Sequence, residues 1–272
     1  MKTTLLGFLL LFPLLLLAQK PQYLSYEIGK SSELLADHVN VRSGPDRSEN
    51  VIATLPIGTS VVVLDDFEAS TIRGIEAPWL KVRFEDGNKL QEGFLWAGML
   101  ATTSFASKTD PKLRFYFGLS HSKEADWFPQ LYLQIRAVRA GKQIAKLEFE
   151  GVGDLQPGAY WHAYDGLGIP GIQDIFNLGF AAGYCAGPAG DAYIFWDGKQ
   201  FFHAKTIYSG SDAPVFLEEM LIFPNNEDGR KEKIILKHKS GEHADNEAGE
   251  ILDEYWEETY IWTGKKLKKI SK

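Results

Sequence analysis

The sequence predicts an all-β fold, with a small barrel followed by a larger antiparallel β-domain. Three observations support this. Between Val39 and Leu100, short β-branched runs are separated by Gly, Pro and Asp-Gly punctuation, the pattern of closely spaced strands and turns. Later in the chain, three segments built around Gly-Lys carry apolar or aromatic residues on both sides, as β-hairpins do. A chain of 272 residues also has room for a module of about 60 residues and one larger domain.

Residues 1–18 read as a cleaved secretory signal. Lys2 provides a positive start, Leu5 to Leu17 is apolar apart from Gly7 and Pro13, and Ala18 places a small residue before Gln19. The apolar run is short for a bilayer and lacks a basic stop-transfer flank, so no stable membrane span is expected after cleavage. Gln19, not Cys, follows the expected cut, which gives no support to lipid attachment. The expected location is therefore secreted or periplasmic. Removing this segment, with its one Lys and no acid, takes the net charge from −7 to −8. An acidic chain lacks the clustered Lys/Arg footprint of nucleic-acid binders. Cys185 is the lone cysteine and has no internal disulfide partner, so a buried, inert thiol is the plain expectation for it.

Residues 19–36 form a lead-in segment that mixes polar residues with Tyr23, Leu24, Tyr26 and Ile28. The barrel follows at residues 37–101. Arg42-Ser43-Gly44-Pro45 and Pro56-Ile57-Gly58-Thr59 are turn sequences, because Gly tolerates positive φ and Pro fixes its own. In the closing strands Leu80, Val82 and Phe84 alternate with Trp79, Lys81 and Arg83, so the first set is expected to face the core. Asp86-Gly87 marks a hairpin, and Gly93-Phe94-Leu95 resumes the sheet. Residues 102–112, small and polar, read as a linker, and residues 113–272 as a β-rich C-terminal domain.

The motif order Val41-Arg42-Ser43-Gly44-Pro45, a tryptophan strand at Trp79-Leu80-Lys81-Val82, and a Gly93-Phe94-Leu95 close resembles the bacterial SH3-like domain. The resemblance covers about a quarter of the chain. It departs from the family pattern in two ways: Trp96 lies two positions beyond the usual Gly-Trp-Val close, and Asp65 to Pro78 exceeds a minimal connection. The resemblance implies an SH3-like barrel that binds cell-wall peptide or acts as a non-catalytic targeting module on an envelope protein. Trp79 shares a face with Lys81 and Arg83 by alternation, which makes it a candidate aromatic anchor. Arg42, Trp79, Lys81 and Trp96 are the candidate binding residues of the barrel.

In the C-terminal domain the hairpin segments are Val138 to Gln143, Phe195 to Gln200, and Ile261 to Lys266, each read with a two-residue turn. The last would pair Tyr260 with Leu267 and Glu258 with Lys269, both favourable cross-strand pairs. Leu221 to Pro224 and Lys233 to Leu236 flank a longer hairpin loop. Spacings near 60 residues between the Gly-Lys segments suggest propeller-like blades, but three copies fall short of a propeller. A sandwich or a partial propeller-like sheet fits the length. Tyr160-Trp161-His162-Ala163-Tyr164, followed by Asp165-Gly166, combines aromatic rings with a glycine-rich turn. Tyr160 and Trp161 are therefore candidate binding residues for a glycan or a protein.

Catalytic constellations are weak. Peptidases that accompany bacterial SH3-like modules need a Cys activated by a His. Cys185 precedes His203, His238 and His243, which makes a cell-wall peptidase the alternative function. Ala186-Gly187-Pro188 after the thiol disfavours the helix whose N-terminus would lower its pKa. No Gly-x-Ser-x-Gly elbow is present. His238 and His243 lack accompanying metal ligands, and Asn225 to Gly229 lacks the spacing of a calcium loop. Asp253, Glu254, Glu257 and Glu258 face a basic tail and read as charge complementarity within a hairpin. No cofactor is implied, and the expected partner is a peptidoglycan peptide or an envelope protein.

Overall fold

Branched and aromatic runs form the strands, and most turns fall where a left-handed backbone is needed. The computed structural model describes residues 26–125, 129–152, 161–180, 189–243 and 250–271. The signal segment and the start of the lead-in lie outside these. The first sheet contains β1 (Ser31–Glu33), β2 (Val39–Arg42), β3 (Val51–Leu55), β4 (Ser60–Ile72), β5 (Ile75–Asp86) and β6 (Lys89–Trp96). Its order is β1-β4-β5-β6-β2-β3, and a short 3-10 turn, Ala97–Met99, follows it. The second sheet contains β7 (Thr103–Ala106), β8 (Leu113–Lys123), β9 (Gln130–Arg139) and β10 (Lys142–Glu150), ordered β10-β9-β8-β7.

The third sheet is an eight-stranded meander in chain order. It contains β11 (Trp161–Asp165), β12 (Asp174–Phe180), β13 (Ala189–Trp196) and β14 (Phe201–Asp212), then β15 (Val215–Ile222), β16 (Ile234–His243), β17 (Glu250–Trp262) and β18 (Leu267–Ser271). The fold is thus all-β, with a curled first sheet followed by larger antiparallel sheets. One continuous meander stands where propeller blades would each need a sheet of their own.

The barrel core follows the alternation. Leu80, Val82 and Phe84 are fully buried with Val41, Val63 and Leu95. The long segment Asp65 to Pro78 is accounted for by the β4–β5 hairpin, which extends past the barrel with register shifts at Val63/Asp65 and Asp66/Ala69. Its tip, Arg73-Gly74, has φ of 55° and 77°, the two left-handed residues of a type I′ turn. This tip docks on the second sheet, where Ser122 N–H donates to the Arg73 carbonyl at 2.9 Å. A Cβ on Gly74 would come within 2.5 Å of the Ser122 carbonyl oxygen, so only glycine fits.

Core aromatics join the second and third sheets. Phe115 and Phe117 of β8 pack edge-on against Phe176 of β12, and Phe115 also meets Trp196 and Phe201. The meander alternates between two cores. Phe176, Leu178 and Ile194 face the second sheet, while Ile175, Tyr193 and Phe195 face Leu221, Phe223 and Leu236 on the other side.

Residues 102–112, expected as a linker, form a docked connection. β7 pairs with β8, and Ser104 Oγ donates to Glu33 at 2.6 Å. Buried Asp174 of β12 accepts from Ser107 Oγ at 2.7 Å and from the Lys108 amide at 2.6 Å. Small polar residues thus bring hydroxyls and amides to buried acceptors that apolar residues would leave unmatched.

The hairpin turns differ in length. Ala140-Gly141 is the expected two-residue turn, with φ of 51° and 74°. The other two loops have four residues, because Asp197 Oδ1 accepts the Lys199 and Gln200 amides and Thr263 bonds with Lys266. The longer loop pairs Leu267 with Trp262, not with Tyr260. Glu258 and Lys269 still meet as an ion pair, reached diagonally across a bulge.

Two outcomes are expected. Ser107→Ala, which leaves a buried carboxylate short of a donor, should destabilise the protein by about 1–3 kcal/mol in urea unfolding. A change within the noise of the method would mean the connection is slack. Burial also raises the Asp174 pKa above the ordinary aspartate value, in spite of its two donors. The folded chain therefore holds more protons than the unfolded chain in the window just above that ordinary value. This group's contribution to stability falls as pH rises through the window, and Asp174→Asn should remove that part of the slope. Identical slopes for variant and parent would contradict the assignment.

Candidate binding cleft

The two faces of β5 are covered by different neighbours. From Val82 onward its inward face meets the barrel core, whereas Ile75, Ala77 and Trp79 are buried where the hairpin leaves the barrel. Alternation therefore breaks at Trp79-Leu80, where consecutive residues are both buried. Trp79 is only 3% exposed, and its cross-strand partner Trp96 only 4%. Trp79 Nε1 donates to Ser70 Oγ at 3.0 Å. Trp96 Nε1 is shared between the Ser70 and Ala77 carbonyls, at 3.1 and 3.0 Å. Both indoles are thereby fixed in orientation as well as packed.

A cleft of about 500 Å³ opens beside this pair. One wall is the segment from Leu35 to Asn40 with Arg42 and Arg47. The tip residues Ile72 and Arg73, the two tryptophans, and Gly98-Met99 form the second. The third comes from outside the barrel: Leu119 and Ser120 of β8, and Gln134 and Arg136 of β9. Gly98 is required here, since a Cβ at this position would lie 2.0 Å from the Trp96 ring.

The cleft is cationic although the chain is acidic. Arg42, Arg47, Arg73 and Arg136 line it, against the single carboxylate of Asp37. That carboxylate is engaged by His38, 3.2 Å away. Arg42 Nη1 donates to the Glu49 carbonyl at 2.6 Å. Arg136 is held by neutral groups: Gln134 Oε1 accepts from its Nε and Nη2 at 3.0 and 2.8 Å, and Gln143 Oε1 accepts from Nη1 at 2.9 Å. Burial, with the nearby Arg73 guanidinium, pulls the Arg136 pKa below the usual arginine value, against the opposing pull of the Glu148 and Asp37 carboxylates. Among the described residues, no carboxylate lies within ion-pair distance of Arg47, Arg73 or Arg136.

Of the six residues singled out in the sequence, Arg42, Trp79 and Trp96 meet at this cleft. Lys81 does not. It pairs with Glu92 at 3.1 Å beside Arg83, and Arg83 together with Lys81 holds the Glu92 carboxyl below its ordinary range. The expectation that Trp79 shares an open face with them fails, because Trp79 is buried opposite Trp96 and tied to Ser70 of β4. Trp161 also departs from the expectation of an exposed aromatic loop. Pairing of β11 with β12 buries it against Phe117 and Phe180, and Nε1 donates to the Gly179 carbonyl at 3.0 Å. Tyr160 lies outside the described residues.

Cys185 lies outside the described residues as well. The histidines that follow it have separate surroundings. His203 bonds with Thr206 Oγ1, and burial lowers its pKa. His238 stacks on Trp256 at 4.3 Å with Nδ1 3.3 Å from Glu219, and His243 packs on Phe216. In the acidic run, Glu258 pairs with Lys269 and Glu257 faces Arg230 and Lys237.

Arg73 and Arg136 were not singled out by sequence reasoning. The available signals were weak: an Arg-Gly turn inside an overlong hairpin, and Gln134 and Arg136 two apart among the apolar residues in the middle of β9. Gly98→Ala should displace the Trp96 ring, red-shift tryptophan emission and cost about 1–3 kcal/mol. Unchanged emission and stability would show that the ring is not confined as described.

The family model for the bacterial SH3 domain matches residues 37–101, the interval from just before β2 to just after the 3-10 turn. No curated protein and no solved structure matches the chain. Among the described residues, no helix is long and apolar enough to cross a membrane. The interval that supplies Arg42, Trp79 and Trp96 to the cleft is a bacterial SH3 domain, while the residues beyond it are assigned to no family.

Proposed function

We propose that the protein is a secreted, non-catalytic binding protein of the cell envelope, and that its SH3 domain receives a cell-wall peptide in the cleft described above. The observation that carries this reading is the placement of Arg42, Trp79 and Trp96 of the SH3 domain around one concave site. Bacterial SH3 domains bind peptidoglycan or proteins, and a cleft of this volume with fixed rings and a few polar groups suits a short peptide. The β8–β9 wall would make the site a property of the whole chain. The leader-like residues 1–18 support export to the compartment where such peptides occur.

The test uses the full-length chain with purified peptidoglycan. Co-sedimentation should deplete the protein from solution, and soluble muropeptides should compete for it. Arg42→Gln should weaken binding by about tenfold, the loss of one charged hydrogen bond. Arg230→Gln, far from the cleft, should leave binding unchanged. No depletion together with no muropeptide binding would remove the wall-peptide reading. Binding insensitive to Arg42→Gln would remove the cleft as its site.

A further inference from the structure

Arg73 and Arg136 approach the same cleft from different parts of the chain. Arg73 sits at the left-handed tip of the β4–β5 hairpin, in the segment that exceeds a minimal SH3 connection. Arg136 lies on β9, outside the SH3 domain. Bringing two guanidinium groups together where one is partly buried is unfavourable unless something offsets it. The Glu148 and Asp37 carboxylates offset this only in part, acting on Arg136 without joining its fork, which side-chain amides meet directly. Gln134, itself buried, directs its amide nitrogen to the Leu119 carbonyl and its oxygen to Arg136, so the fork is held in place from behind. This is a cationic seat prepared before any anion arrives.

We infer that the cleft recognises the free carboxylate of its peptide ligand, held between Arg73 and Arg136, with the apolar part of the ligand against the edges of Trp79 and Trp96. The inference deepens the cleft reading given above and rests on it for the peptide. A planar carboxylate accepts two parallel N–H bonds from one guanidinium, which fits a fork already fixed in orientation. The two aromatic rings supply apolar contact beside that charge, a combination that an inorganic anion does not use. Because Arg136 belongs to β9, the SH3 domain alone would lack half of the seat.

The experiment titrates the full-length chain with N-acetyl-alanine and, separately, with its amide at constant ionic strength. It follows the indole N–H resonances of Trp79 and Trp96, assigned by substitution at Ser70 and Gly98, and the Nε–H of Arg136. The acid should shift these signals saturably, and the amide should bind at least about tenfold more weakly. Arg136→Gln, and Arg73→Asn, chosen because Asn tolerates the left-handed backbone, should each abolish the preference for the acid. Arg83→Gln removes the same charge outside the cleft and should preserve it.

Equal responses to acid and amide, no saturable response to either, or a preference that survives Arg136→Gln would overturn the carboxylate seat. So would a response to inorganic phosphate with none to the acid. These results stand apart from the sedimentation test. A wall-binding protein indifferent to acid or amide loses only the present inference, and an acid-selective cleft in a protein that ignores peptidoglycan loses only the wall ligand.

Discussion

At the Trp79–Trp96 pair both faces of β5–β6 are buried, and much of the molecule follows from this. One face closes the SH3 barrel over Leu80, Val82 and Leu95. The other carries Trp79 opposite Trp96, rings that each remove roughly 150–250 Å² from water when buried. A barrel standing alone would leave that second face wet. Ser70 of the extended β4–β5 hairpin caps both indoles, and the Ser122 amide of β8 anchors the hairpin tip at the Arg73 carbonyl. Residues flanking the SH3 domain are therefore part of its shelter.

The same packing accounts for the site. Two sheets that meet around rigid indoles leave a concave seam, and the groups that end at the seam come from both. Polar side chains placed there are oriented by neighbours: Ser70 fixes the indoles and Gln134 fixes Arg136. Such support makes a seam useful for recognition, because little freedom remains to be lost when a ligand binds. The connection from β7 to β8 helps to hold the sheets in register through Ser104 on Glu33 and Ser107 on Asp174.

Legibility in the sequence followed the range of the interactions involved. The inward set Leu80, Val82 and Phe84 in β5, the turn glycines and the order of the SH3 motifs were all readable, because each depends on neighbours within a few residues. The Ala140-Gly141 turn was readable for the same reason, whereas the Asp197 and Thr263 loops were misjudged by two residues because side-chain bonds lengthened them. Trp161 read as a displayed ring, yet pairing of β11 with β12 and a lid of Phe117 placed it in the core. Residues 102–112 read as a linker because their hydroxyls show no partner in sequence; the partners lie 71 and 67 positions away.

By itself, the sequence determined the all-β class and the SH3 domain at residues 37–101, which holds Trp79 and Trp96. These follow from period-two patterning and turn chemistry, which are local and survive without a third dimension. Tertiary structure alone decided that those rings are buried walls and not projecting anchors. It also decided that Arg73 and Arg136, 63 positions apart in the numbering, line one cleft beside Arg42 and Arg47. Charge clustering of that kind depends on which sheet covers which face, and packing free energy is summed over the whole core, so no window of sequence contains it.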